Sequence, residues 1–205
     1  MNHKFAMAAG VIGFSLLAVA SDAWAQQPAR IRGIVEAVDG QTLTIKERNG
    51  AVVKVKLADN APVRAVEKRT MADIKEGSFI GVTGMPQPDG SQKALEVHIF
   101  PEAMRGTGEG HRPWDLQANS TMTNANVESA VASNDGQVLM MKYKDGEKKI
   151  VVPPGIPIIT YVPGSKDELK PGVTVFLIAP AGKKEDGTYE APAVTVSRGD
   201  VKPPM

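Results

Sequence analysis

Two stretches of this 205-residue chain spell nearly the same unit, and that repetition limits its fold more than any motif limits its activity. Gly40-Gln41-Thr42-Leu43-Thr44-Ile45-Lys46-Glu47-Arg48-Asn49-Gly50 returns as Gly136-Gln137-Val138-Leu139-Met140-Met141-Lys142-Tyr143-Lys144-Asp145-Gly146, with both glycines, the glutamine, a leucine and a lysine kept. Leu43 and Ile45 alternate with polar neighbours, as do Val53, Val55 and Leu57 further on. Period-two alternation marks strands with one face on a core and one in water. Asn49-Gly50 and Asp39-Gly40 supply residues that tolerate the positive φ of tight hairpins. The pattern predicts a three-stranded meander over Ile31 to Val38, Gln41 to Glu47 and Ala51 to Leu57. After it come a turn at Met71 to Gly77 and two more strands, Ser78 to Gly84 and Lys93 to Phe100.

The second copy repeats these landmarks at an offset that drifts only between 95 and 97 residues: Asp167 to Gly172, Asp186-Gly187 and Ala193 to Val196 echo Met71 to Gly77, Asp89-Gly90 and Glu96 to Ile99. Five short strands in this order fit a small closed barrel of the OB type, and closure removes the exposed edges that short amphipathic strands otherwise leave. The expectation is an all-β chain of two tandem OB-like five-stranded barrels, residues 26–100 and 122–200, joined by a segment 101–121 and ending in a tail 201–205. An SH3-like barrel and a single larger sandwich are the alternatives.

Ahead of the repeat, Met1 to Ala25 has a positive start at Lys4, an apolar run and an Ala23-Trp24-Ala25 small-x-small site. This reads as a signal peptide cleaved after Ala25, and the apolar run is shorter than the roughly 20 residues of a spanning helix. The expected location is the periplasm, with no transmembrane segment after cleavage. The chain has no cysteine, so disulfides, thiolate ligands and cysteine nucleophiles are excluded. Without Lys4 and Asp22, 23 basic side chains face 22 acidic ones, a balance that steers toward neither phosphate backbones nor anionic lipid.

The segment between the copies has no counterpart in the repeat. Pro101-Glu102-Ala103-Met104-Arg105-Gly106-Thr107-Gly108-Glu109-Gly110-His111-Arg112-Pro113-Trp114 is too rich in large side chains for a plain spacer. Aromatic and arginine groups gathered on a loop are the usual makings of a recognition site, so Met104, Arg105, His111, Arg112 and Trp114 are the candidate contact residues. The competing reading makes Trp114 a plug in the seam between barrels.

This segment, the leader, the start Arg30-Ile31-Arg32-Gly33, Arg112-Pro113-Trp114-Asp115 and the ending Val201-Lys202-Pro203-Pro204-Met205 together resemble an uncharacterised family of bacterial exported proteins. The resemblance covers the whole chain after the leader and implies a periplasmic protein of proteobacterial type with OB-like domains. Some relatives carry a metal-transporter permease label, which needs membrane spans that this chain lacks.

Chemistry is sparse. Gly106 to Gly110 has neither the flanking strand and helix of a dinucleotide loop nor the lysine of a phosphate loop. His98, His111, Met104, Met122 and Met140-Met141 offer a soft set suited to copper, but in no His-x-His or Met-x-x-Met cluster, so no metal ligand and no cofactor is assigned. No serine sits beside a recognisable base, so no catalytic residue is assigned and the chain is not read as an enzyme. Few aromatics and a balanced charge argue against nucleic acid. The expected function is a non-catalytic binding or assembly module for an unknown envelope protein or small ligand, with copper handling and an envelope hydrolase of unrecognised site as alternatives.

Overall fold

The computed structural model of the chain describes residues 28–134 and 136–203; the expected signal peptide and the last two residues of the tail lie outside them. Fourteen strands form one continuous sheet. In the first half these are β1 (Ala29–Asp39), β2 (Thr42–Glu47), β3 (Val52–Leu57), β4 (Val63–Lys68), β5 (Phe79–Pro86) and β6 (Gln92–Ile99), with β7 (Gly110–Pro113) in the connecting segment. In the second half they are β8 (Thr121–Ser133), β9 (Gly136–Tyr143), β10 (Gly146–Val152), β11 (Ile158–Pro163), β12 (Thr174–Ala179), β13 (Tyr189–Ala191) and β14 (Val194–Val196). Gly50, at φ +87°, turns the chain between β2 and β3 as its Asn-Gly context predicts. No helix among the described residues is long and apolar enough to cross a membrane.

The pairing corrects the expectation of two barrels in tandem. Strands β5, β6, β10, β9 and β8 close into a five-stranded mixed barrel, sealed by a short parallel ladder of Ile150-Val151 against Gln92-Lys93. Two of these strands precede the connecting segment and three come after it, so neither 26–100 nor 122–200 builds a barrel from its own strands. The reciprocal exchange occurs on the other side, where β1 pairs with β12 and β3 runs parallel to β13. That circuit does not close: among the described residues β12 pairs with β14 but not with β13. Pro192, between β13 and β14, has no N–H to give a ladder.

The exchange turns on β4 and β11, which no five-strand count includes. After Pro62 the chain runs on as an extended strand instead of folding back, and β4 lies antiparallel to β11. Each also runs parallel to the last strand of the other half's circuit, β4 to β14 and β11 to β6. With β7 set aside and β6 answered by β13 and β14 together, exchanging every strand for its counterpart in the other half preserves the pairing scheme. The pair Val66–Tyr161 then maps onto itself.

Two apolar cores result, and both draw on both halves. One packs Val35, Leu43, Ile45 and Val55 against Val175, Leu177 and Val196; the other packs Ile80, Val82 and Val97 against Val127, Leu139, Met141 and Ile150. Met141 points into that second core while Met140 is half-buried, as alternation along β9 dictates.

Candidate functional site

Burial alternates unequally on the two exchanged strands, and the inequality locates a site. Along β12 the core-facing Val175, Leu177 and Ala179 alternate with half-buried or exposed Thr174, Phe176 and Ile178. On β5 both faces are buried, because Phe79, Gly81 and Thr83 turn away from the barrel interior yet are covered. The cover comes from the connecting segment and from the opposite half.

Register sets out the floor. His98 on β6, Gly81 on β5 and Asn124 on β8 lie in one cross-strand row, and Glu96, Thr83 and Met122 form the next. Thr83 donates its hydroxyl to Glu96 Oε1 at 3.0 Å. The glycine is required at its place: a Cβ at Gly81 would stand 2.7 Å from Asn124 Oδ1 and 3.0 Å from the Phe100 ring. Its absence lets both side chains settle onto the strand. Phe100 packs between Phe79 and Tyr161, at ring-centroid distances of 5.4 and 5.5 Å, and Tyr161 meets His98 edge-on. Burial, and then the charge of Glu96, push the Tyr161 phenol up, so it stays protonated.

The facing wall is the corresponding row of the other half: Arg32, Phe176, Thr195 and Arg64 on β1, β12, β14 and β4. Phe176 holds in this row the place that Gly81 holds in the first. Between the walls is a cleft of about 260 Å³, bounded on its third side by Met104, Thr107, Gly108, Arg112 and Trp114 of the connecting segment.

Local structure explains how that segment reaches the cleft. A single 3₁₀ turn, Glu102–Met104, sets Met104 toward it. Arg105 points elsewhere, tying the loop down through Glu102, Asn126 Oδ1 and the Gly77 carbonyl. β7 then pairs with Thr121 to Asn124 of β8, and strand alternation sends neighbouring side chains to opposite faces. Arg112 therefore lines the cleft, while His111 turns away and meets Thr123 Oγ1 at 2.8 Å. Burial, Lys148 and Arg112 all lower the His111 pKa, so the ring is neutral near pH 7. Ser120 closes the loop that carries Trp114, donating to the Trp114 and Gln117 carbonyls.

Of the five residues expected at a site, Met104, Arg112 and Trp114 come together and Arg105 and His111 do not. The sequence reading weighed His98 only in a soft metal set and missed Arg64, Asn124 and Tyr161, which lie on β4, β8 and β11. For Asn124 no sequence signal exists, since it is one polar residue among several in Thr121-Met122-Thr123-Asn124.

Electrostatics mark the cleft as cationic. Arg30 lies 4.1 Å from the Trp114 ring centroid, with Arg112 and Arg32 at 5.6 and 5.8 Å. Such contacts contribute about 0.5–2 kcal/mol each. Arg32 and Arg30 share Asp115, at 2.7 and 3.5 Å. Arg112 donates to the Gly108 carbonyl, and among the described residues neither it nor Arg64 forms an ion pair. Burial and the charge of Arg30 lower the Arg112 pKa, the mark of a cation short of a counter-charge.

Polar satisfaction is incomplete here as well. Among the described residues the buried side-chain atoms without a hydrogen-bond partner are Arg32 Nε, His98 Nε2, Trp114 Nε1 and Asn124 Oδ1, and the last three belong to residues lining the cleft. His98 Nε2 does lie 3.1 Å from Glu96 Oε1, so this ring nitrogen has a carboxylate beside it.

Asp115 gives a pH test of the Trp114 corner. Burial raises its pKa, but the hydrogen bond and charge of Arg32 and the charge of Arg30 outweigh burial and hold the carboxyl below its ordinary value. A group with a lowered folded-state pKa stabilises above its unfolded pKa, about 3.9, and loses that contribution as pH falls through the folded value. The melting temperature should therefore fall as acid is added below about pH 4. Asp115→Asn should flatten that part of the profile and leave the region above pH 6 parallel to the parent. An unchanged acid slope in the variant would remove Asp115 from the account.

No metal is placed by clustering, since among the described residues no three His, Asp or Glu side chains gather in one place. Compared with protein-family models, with curated proteins and with solved structures, the chain matches none.

Proposed function

We propose that this chain is a non-catalytic binding module of the bacterial envelope, exported by its leader, and that its site is the cleft between the two halves. The observation that carries the reading is an aromatic-walled space lined by two arginines, Arg64 and Arg112, that form no ion pair among the described residues, with the Trp114 indole N–H left unpaired beside it. Leaving a buried polar group unpaired costs about 1–3 kcal/mol, and a ligand that pairs it recovers that cost. The pairing scheme also supports reading the chain as a duplicated OB-like unit with exchanged strands, in which the diverged positions His98 and Thr195 both line the cleft.

A thermal-shift screen of small organic molecules on the full chain tests this. Ile178 is 40% exposed at the rim, so Ile178→Trp narrows the cleft without disturbing a core. Hits that raise the melting temperature of the parent and lose their effect in Ile178→Trp are the expected result. Hits indifferent to that substitution would place binding elsewhere and overturn the reading.

Copper handling is the second reading, favoured by one observation: His98, Met104 and Met122 all line this cleft and form a soft imidazole and thioether set. Cu(I) binding that is lost in His98→Ala and in Met104→Leu would support it over the organic ligand.

A further inference from the structure

The chemistry of the cleft restricts what fills it. Among the described residues, the cationic side chains lining it are Arg64 and Arg112, and no aspartate or glutamate lines it. Glu96 stands behind His98, and Asp115 is already shared by Arg30 and Arg32. A half-buried guanidinium without a carboxylate, such as Arg112, is a standing electrostatic deficit that an anion in the cleft would remove.

The walls and the unpaired indole N–H define the rest of the ligand. Phe100, Tyr161, Phe176 and Trp114 present ring surfaces to a space of about 260 Å³, the volume of roughly nine waters, which suits a small flat body. Trp114 Nε1 can only donate, so it requires an acceptor on the ligand. Asn124 donates its Nδ2 to the Thr107 carbonyl at 2.9 Å and rests its Oδ1 over Gly81, so it fixes the connecting segment at the cleft. We infer that the cleft binds a small planar organic anion, an aryl carboxylate, with the carboxylate toward Arg112 and Arg64 and the ring between the aromatic walls. This assignment rests on the cleft being the binding site.

Calorimetric titration of the full chain with 4-hydroxybenzoate, its uncharged methyl ester and cyclohexanecarboxylate separates the elements of the inference. The hydroxybenzoate should bind at least about tenfold tighter than the ester, the size of one charge-assisted contact. It should also bind tighter than the non-planar acid, which cannot stack on the aromatic walls. Arg112→Gln should bring acid and ester to similar affinities while leaving ester binding unchanged, a pattern that misfolding would not give, and Arg64→Gln should act in the same direction. Ester and acid binding equally in the parent, both lost in Ile178→Trp, would overturn the anion assignment while keeping the cleft as the site. Acid binding that survives Ile178→Trp would overturn the cleft itself, and no heat from the hydroxybenzoate at millimolar concentration would overturn the aryl carboxylate assignment.

Discussion

Cutting the backbone between Ala118 and Asn119 is expected to leave one particle. These residues lie in an exposed turn, so a protease recognition sequence inserted there is accessible and perturbs no ladder. Eight of the fourteen strand pairings would then join two separate polypeptides: β1–β12, β3–β13, β4–β11, β4–β14, β5–β8, β6–β10, β6–β11 and β7–β8. Both cores would be shared as well, so the pieces are held by core packing rather than by a surface contact. On gel filtration the cut protein should elute with the uncut mass and fall into two fragments only in denaturant. Two fragments eluting separately in native buffer would show that each half folds by itself and would overturn the exchanged pairing.

The second large effect concerns stability. Ile80 precedes the connecting segment and is fully buried among residues from beyond it; Leu177, 1% exposed, has the reverse placement. Removing such a side chain loses its transfer free energy and leaves a cavity, so Ile80→Ala and Leu177→Ala should each cost about 2–5 kcal/mol. Because each core recruits strands from both halves, neither half can melt while the other stays intact. Each variant should show one unfolding transition, shifted as a whole, in calorimetry. A profile with two transitions, of which only one moves with each substitution, would mean that the cores are independent.

The amino-acid pattern exposes most of the strands and hides their partners, for a physical reason. Alternation along Leu43 to Ile45 or Ile80 to Val82 states which face meets a core, and the turn glycines state where a strand ends. Neither states whose core is met, since the same apolar face packs equally well on its own meander or on strands of the other half. That choice is made by the stretch from Pro62 to Lys68, which pairs with β11 as an extended strand and carries β5 and β6 to the other side. Its six strand residues alternate only weakly, with Ala65 and Val66 both buried, so the chain between the third and fourth expected strands reads as a loop.

The candidate site was legible in proportion to its local character. Met104, Arg112 and Trp114 stand out in a short non-repeated segment, and the structure puts them on one cleft. Arg105 and His111 share that segment, but a guanidinium tied to Glu102 and a strand position of opposite parity take them away from it. The opposite wall consists of Arg64, Phe176 and Thr195, brought together only by long-range pairing. No window of sequence contains it.

The exchanged order also sets a timetable. Ala29 pairs with Ala179, and Val55 with Tyr189, so the first meander waits for nearly the last strands before its core can be sealed. Contacts this distant along the chain make closure slow, and during synthesis the opening third of the polypeptide stays without its partners while later residues are still being added. A chain built this way cannot seal both of its cores until almost all of it exists.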